Sequence, residues 1–383
     1  MSQSRRGFIR SIGLGTAGLM GSSFIIGRGR EAAAFEPVGS RLLLDDGVLK
    51  ISSNENARGP GPNVMRALQE AITPRLGRGY PPDYLAELVE TVADYNGVAQ
   101  DHVVIGTGSG GLLVAATLAF CKDGKALVTA SPTYATPEDV ARGMGVQVHA
   151  VPLDRSLRLD LDSMASAANG AGLVFLCNPN NPTGTAHPAG AVEAFVRQVK
   201  ARSPDTAILL DEAYIDYAVD PGVESGVALT QEFPGVFITR TLSKAHGMAG
   251  LRVGYGVGQP ATMQALAQAA NLGSMNTLSA AAGIASLKDT GHLAWERQEN
   301  KRIQDYVMGA FRDMGYDGPD TNANCMFVEL GRPASWFRDE CLKRGVAVGR
   351  DFPPLAQTHA RISLGSMEEM EFAVSVFRDV LKG

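Results

Sequence analysis

The sequence predicts an α/β protein: a mostly parallel seven-stranded sheet with helices on both faces, followed by a smaller α+β C-terminal domain. Three observations carry this reading. Between about residues 102 and 257, short apolar runs alternate with helical patterns. Near-continuous apolar strands are what a parallel sheet covered on both faces requires. Glycine is abundant, 44 of 383 residues, which suits a fold with many tight strand–helix turns. Beyond about residue 275 the pattern changes to helices with short strands between them.

The elements follow in order. Pro62 is well placed in the first turn of a helix that carries Val64, Leu68 and Ile72 at helical spacing. Leu85, Leu88, Val89 and Val92 make a second helix, ended near Asn96-Gly97. Strands are expected at 102–105, 126–129, 146–151, 173–177, 207–210, 236–238 and 253–257. Helices are expected between them at 109–120, 137–144 and 189–202, and then at 261–270. The C-terminal part reads as a long helix over 293–314, strands at 326–330, 346–348 and 362–364, and helices at 334–344 and 367–381.

At 45% hydrophobic and 20% charged, a chain of this length can bury an ample core. A net charge of -5 gives no footprint for nucleic acid or acidic lipid. Cys121, Cys177, Cys325 and Cys341 lie far apart without a C-x-x-C pair, so no metal site is expected. Cys121 and Cys177 fall in apolar runs and read as small buried hydrophobes.

The first residues, Ser4-Arg5-Arg6-Gly7-Phe8-Ile9, precede a glycine-rich, weakly apolar segment that ends at Ala32-Ala33-Ala34. That order matches a bacterial export signal, and the Arg-Arg pair resembles the twin-arginine motif. The expectation is a periplasmic or exported protein carried by the twin-arginine machinery, with the signal cleaved near residue 34 or retained as a tether. The expected domains are this signal, 1–34; an N-terminal arm, 35–60; a large domain, 61–275; and a small domain, 276–383.

A sheet of this kind binds ligands at the carboxyl ends of its strands. Four segments fall there. Gly106-Thr107-Gly108-Ser109-Gly110-Gly111 opens a helix and reads as a phosphate cup; its third glycine is misplaced for a dinucleotide fingerprint. Asn178-Pro179-Asn180-Asn181-Pro182-Thr183-Gly184 is a turn-rich loop. Asp211, in Asp211-Glu212-Ala213-Tyr214, ends a buried strand and needs a cationic partner, either a structural arginine or a protonated ring nitrogen. Lys244 follows the strand at 236–238 in Thr241-Leu242-Ser243-Lys244-Ala245-His246-Gly247. It is either a surface lysine beside a turn or a desolvated Schiff-base lysine.

Together the Asn-Pro-Thr-Gly, Asp-Glu-Ala-Tyr and Leu-Ser-Lys-Ala…Gly-Leu-Arg segments, in this order, strongly resemble the fold-type I pyridoxal-phosphate aminotransferases. The histidinol-phosphate aminotransferase branch is the nearest likeness, and it covers about Ile51 to the C-terminus. The resemblance implies pyridoxal 5'-phosphate as cofactor, no metal, and an active homodimer. Lys244 would hold the cofactor and move the substrate proton, and Asp211 would pair with the ring nitrogen. Asn181 and Tyr214 would bind the ring oxygen, and Tyr134 would stack on the ring. Gly108, Ser109, Gly110, Ser243 and Arg252 would hold the phosphate, with Tyr80 reaching the phosphate of the partner subunit. Arg361 would take the substrate carboxylate, Arg350 would line the substrate site, and the arm carrying Asn54 would close over it.

The chain also departs from that branch. Pro37 and Asn276 stand where the branch carries two phosphate-binding tyrosines. Arg350 is displaced by one residue, and His246 replaces the usual aromatic. The expected reaction is therefore amino transfer between an L-amino acid and a 2-oxo acid, with a substrate other than histidinol phosphate. Oxidase, racemase, lyase or decarboxylase chemistry on the same cofactor, and a non-catalytic exported binding protein, are the alternatives.

Overall fold

The computed structural model describes residues 47–74, 76, 82–270, 272 and 275–382. The export segment, Pro37 and Tyr80 lie outside these residues. The first strand, β1 (Leu49–Ile51), is three residues long and falls where the sequence suggested an irregular arm. Helices α1 (Pro62–Ala71) and α2 (Pro82–Asn96) follow. The alternating region then runs β2 (Val103–Thr107), α3 (Ser109–Phe120), β3 (Leu127–Ser131), α4 (Thr136–Gly143), β4 (Val148–Pro152) and α5 (Leu161–Ala167). It continues through β5 (Leu173–Cys177), α6 (Ala189–Arg202), β6 (Ala207–Asp211), α7 (Val227–Glu232), β7 (Val236–Thr241), β8 (Val253–Gly258) and α8 (Pro260–Ala269).

These seven strands form one sheet of order β2-β8-β7-β6-β5-β3-β4. All neighbours are parallel except β8, which runs antiparallel to both β2 and β7. Successive residues of a strand face opposite sides, and the buried clusters obey this. Leu173, Phe175, Leu209 and Phe237 pack with Leu113 of α3 and Leu266 of α8. Val174, Leu176, Leu210 and Ile238 pack on the other face with Val196 of α6, Met164 of α5 and Leu88 of α2. Both faces are thus closed by apolar helices, which is why the strands read as unbroken apolar runs.

Helix α9 (Thr277–Lys288) has no 3.6-residue stripe in its sequence, because most of its small residues are buried all round. It packs against α1 and α2, and Ala280, Ala282 and Ile284 join the second of these cores. Asn276 is its cap, accepting from the Ser279 N–H at 2.9 Å. A cap of this type stabilises a helix by about 1 kcal/mol.

The remaining elements are α10 (Thr290–Asp313), β9 (Cys325–Glu329), α11 (Ala334–Leu342), β10 (Val346–Val348), β11 (His359–Ser363) and α12 (Met367–Leu381). β1 pairs in parallel with β10, and β9 pairs antiparallel with β11. Leu49 and Ile51 share a core with Phe311, Phe337 and Phe377. The arm is therefore tied to the C-terminal elements before it reaches the sheet. α12 starts at a full capping box, Ser366 with Glu369.

Candidate active site

The residues that follow β2, β3, β5, β6 and β7 line one cavity of about 840 Å³. Because β8 runs backwards, Arg252 at its start meets the same edge.

Asp211 is the last residue of β6 and is 2% exposed. Sheet register places Cys177 and Thr239 directly beside it on β5 and β7. The Thr239 hydroxyl donates to Asp211 Oδ1 at 2.9 Å, and the Cys177 thiol lies 3.8 Å from Oδ2. Burial pushes the carboxyl up to about 7; the Thr239 hydrogen bond works against this and the neighbouring Glu212 adds to it. The sequence left open whether a structural arginine would pair with Asp211. Arg240, one residue beyond Asp211's neighbour Thr239 on β7, is committed to Glu212 at 2.9 Å. Among the described residues no cation pairs with Asp211. A buried carboxyl of this kind fits a ligand that brings its own protonated ring nitrogen.

Lys244 lies half-buried in the turn after β7. Its Nζ donates to the backbone carbonyls of Asn54 at 3.0 Å and Ser53 at 3.3 Å, and lies 5.7 Å from the Tyr214 ring centre. Burial, helped by the nearby Arg361 charge, lowers its pKa from 10.5 to about 8. Tyr214 is buried and accepts from Asn54 Nδ2 at 3.1 Å; burial raises its phenol well above the usual value.

The anion cradle lies at the start of α3. Gly108 has φ +76°, and a Cβ there would come within 2.4 Å of Arg252 Nη2. Gly254 serves the same approach from β8, since its Cβ would meet Gly108 C at 2.4 Å. Arg252 Nη1 donates to Ser243 Oγ at 3.3 Å, and Ser109 and Gly110 complete the lining. Free N–H groups at a helix start and a guanidinium suit a phosphate. Gly108→Ala should weaken cofactor binding by about tenfold or more, since its Cβ would displace the Arg252 guanidinium from the cradle, at the cost of a charged hydrogen bond of about 1.5–3 kcal/mol. Titration of the apo-protein with pyridoxal phosphate, followed by fluorescence, measures this; unchanged affinity would exclude the cradle.

Arg361, on β11, is 6% exposed. Its Nη1 donates to Asn181 Oδ1 at 2.9 Å and Nη2 to the Ser52 carbonyl at 2.5 Å. Its buried Nε has no hydrogen-bond partner. Arg361 and Arg350 both lie over the Phe352 ring, at 4.8 and 4.5 Å from its centre. Arg350 is exposed and lines the cavity, as does Tyr134, which is 37% exposed. Asn54 is 1% exposed; besides Tyr214, its side chain accepts from the Ser363 hydroxyl at 2.7 Å. The arm thus lies over the site, and its carbonyls accept from both Lys244 and Arg361.

Thr239, Phe352 and Arg338 were not singled out from the sequence. Arg338 lines the cavity and pairs with Asp351 at 2.5 Å. No motif marks these residues; only register and the fold of the C-terminal part bring them in.

Comparison with known proteins agrees with this geometry. The profile of the family "Aminotransferase class I and II" matches residues 46–377. A histidinol-phosphate aminotransferase of Moorella thermoacetica is 35% identical over 336 residues, 87% of this chain and 86% of the relative. An aromatic amino acid aminotransferase of Rhodococcus opacus is 34% identical over 328 residues, 84% of this chain and 87% of the relative. The crystal structure of histidinol-phosphate aminotransferase from Sinorhizobium meliloti with pyridoxal-5'-phosphate is similar at a TM-score of 0.79 and 28% identity, covering 87% of this chain and 90% of that one. This chain belongs to the class I and II aminotransferases, enzymes that work with pyridoxal 5'-phosphate.

Proposed function

We propose that the protein moves an amino group between an L-amino acid and a 2-oxo acid, and that its substrate is not histidinol phosphate. Arg361 carries the first part. It is a buried cation with an unpaired N–H, and among the described residues no carboxylate pairs with it. A buried charge of that kind is costly unless a ligand supplies the counter-charge. Both reactants, amino acid and 2-oxo acid, carry such a carboxylate. The second part rests on Asn276, whose side chain is spent on the cap of α9, and on the absence of tyrosine at Pro37.

Bound pyridoxal phosphate supplies an aldehyde and an electron-withdrawing ring that eases removal of the α-proton. The chain does the rest. Lys244 Nζ is the attachment point, and as a free amine it takes the substrate's α-proton. A pKa of about 8 leaves about a tenth of it neutral at pH 7, against well under a thousandth for an ordinary lysine. Asp211 would hold the proton of the ring nitrogen. Asn181 and Tyr214 would bind the ring oxygen, and Tyr134 would cover the ring. Ser109, Gly110, Ser243 and Arg252 would hold the phosphate, Arg361 would orient the α-carboxylate, and the arm would limit water.

Amino donors mixed with the loaded protein should convert the cofactor absorbance to its pyridoxamine form. Arg361→Gln should raise KM for the active donors on the order of 10²-fold, the effect of leaving a bound carboxylate without its buried cation. A donor panel that gives no conversion, or an unchanged KM in the variant, would overturn the reading.

A further inference from the structure

His246 lies two residues beyond Lys244 and does not line the cavity. It is 3% exposed. Its Nδ1 is 2.8 Å from Ser286 Oγ on α9, and its Nε2 is 3.4 Å from Asp216 Oδ2. Asp216 in turn lies two residues beyond Tyr214. The same two loops therefore meet twice. Inside the cavity Lys244 Nζ faces the Tyr214 ring; behind it His246 faces Asp216.

The rear contact is well supported. Burial would raise the Asp216 carboxyl, yet the His246 hydrogen bond and the Arg240 and Arg297 charges hold it down at about 2. Arg297, on α10, also donates through Nε to the Asp216 carbonyl at 2.8 Å. On the other side, Asn56 of the arm donates to the Ala245 carbonyl at 3.3 Å. Groups from β7, α9, α10 and the arm thus converge on this point. Ser286, His246 and Asp216 have the order of a nucleophile, base and orienter. Ser286 and His246 are nevertheless buried, and none of the three lines the cavity, so no substrate reaches them.

We propose that the His246–Asp216 link, anchored by Ser286, is a positioning device that holds the Lys244 loop against the Tyr214 turn. It keeps Lys244 Nζ aimed into the cavity and shielded from water. This rests on Lys244 being the attachment point. His246 never touches substrate; it acts through the two-residue lever that separates it from Lys244.

The test uses the apo-protein and pyridoxal phosphate. Capture is trapped with borohydride, mapped by mass spectrometry, and its rate measured between pH 6 and 10. In the wild type the rate should rise with pH to a midpoint near 8, the pKa of Lys244. In His246→Phe, which fills the space without a hydrogen bond, Lys244 regains water. The midpoint should move up by about one pH unit, and cofactor release should quicken about tenfold, the weight of one charge-assisted hydrogen bond. Asp216→Asn should act in the same direction, and His246→Gln should recover most of the wild-type behaviour. A folded His246→Phe protein with its midpoint still near 8 and wild-type release, whatever its Tm, would overturn the proposal. If that variant does not fold, Ser286→Ala and Asp216→Asn decide: unchanged midpoints in both overturn it. Wild-type capture that maps to another residue would defeat the attachment reading instead.

Discussion

Lys244→Ala should leave the protein with no covalently held cofactor and lower amino transfer by at least about 10³-fold. Two functions are lost together. The attachment point disappears, and so does the amine that moves the α-proton, a contribution of about 10²–10⁴ in rate by itself. Among the described residues no other lysine lines the cavity, so none of them substitutes. The folded state should not suffer. Lys244 has a lowered pKa in the fold, so its ammonium form opposes folding below about pH 8. Between about 8 and its unfolded value near 10.4 that penalty is relieved as pH rises. The apo variant should therefore melt no lower than the apo wild type at pH 7, with the difference shrinking toward pH 10. Absorbance, borohydride trapping and melting curves check the three parts. A variant that still forms a reducible adduct in the cavity would refute the assignment.

Asp211→Asn should have the second largest effect, a loss of amino transfer on the order of 10³-fold with the fold intact. The physical case is its missing partner. Asp211 has a raised pKa, about 7, and among the described residues no cation forms an ion pair with it, the Lys244 charge acting only from a distance. A raised carboxyl reverses the usual sign: the folded state keeps its proton between about pH 4 and pH 7 while the unfolded state has lost it. Apo-protein stability should fall over that window as pH rises. A cofactor that brings a ring N–H supplies the missing cation, so its stabilising effect should be larger at pH 8 than at pH 5. In Asp211→Asn the part of that pH dependence owed to the carboxyl should be lost, leaving the part that follows the Lys244 amine, whose pKa is about 8, and the phosphate contacts. Melting temperatures of apo and loaded protein at the two pH values give the answer. Equal cofactor stabilisation at both pH values in the wild type would show that Asp211 does not meet a cation there.

Much of this site was legible because each motif follows a buried strand. β5, α6, β10 and α12 lie where periodicity places them, residue for residue. Asp211 and Lys244 could be marked for the same reason, since each stands at or just beyond the end of a buried strand; Asn181 and Arg252 take their roles only from the family resemblance. The misses have physical causes. β7 runs three residues further than its apolar stretch, through Thr239, Arg240 and Thr241, because partners inside the fold satisfy those polar groups. β1 depends on β10, almost three hundred residues away. α9 is buried on all sides and so shows no stripe. Asn276 reads as a lost substrate contact but serves as a helix cap. Thr239 acquires its place beside Asp211 only through sheet register.

The reversal of β8 has one more consequence. Because β7 and β8 are adjacent and antiparallel, a single turn carries both Lys244 and Arg252, the residues proposed for the aldehyde end and the phosphate end of the cofactor. That turn is a ruler. Its two marks are fixed to each other by the ladder beneath them, from Phe237 opposite Gly258 to Thr241 opposite Gly254. On the proposed assignment a vitamin lacking the phosphate would reach one mark only, and the sheet itself would measure the length of what it holds.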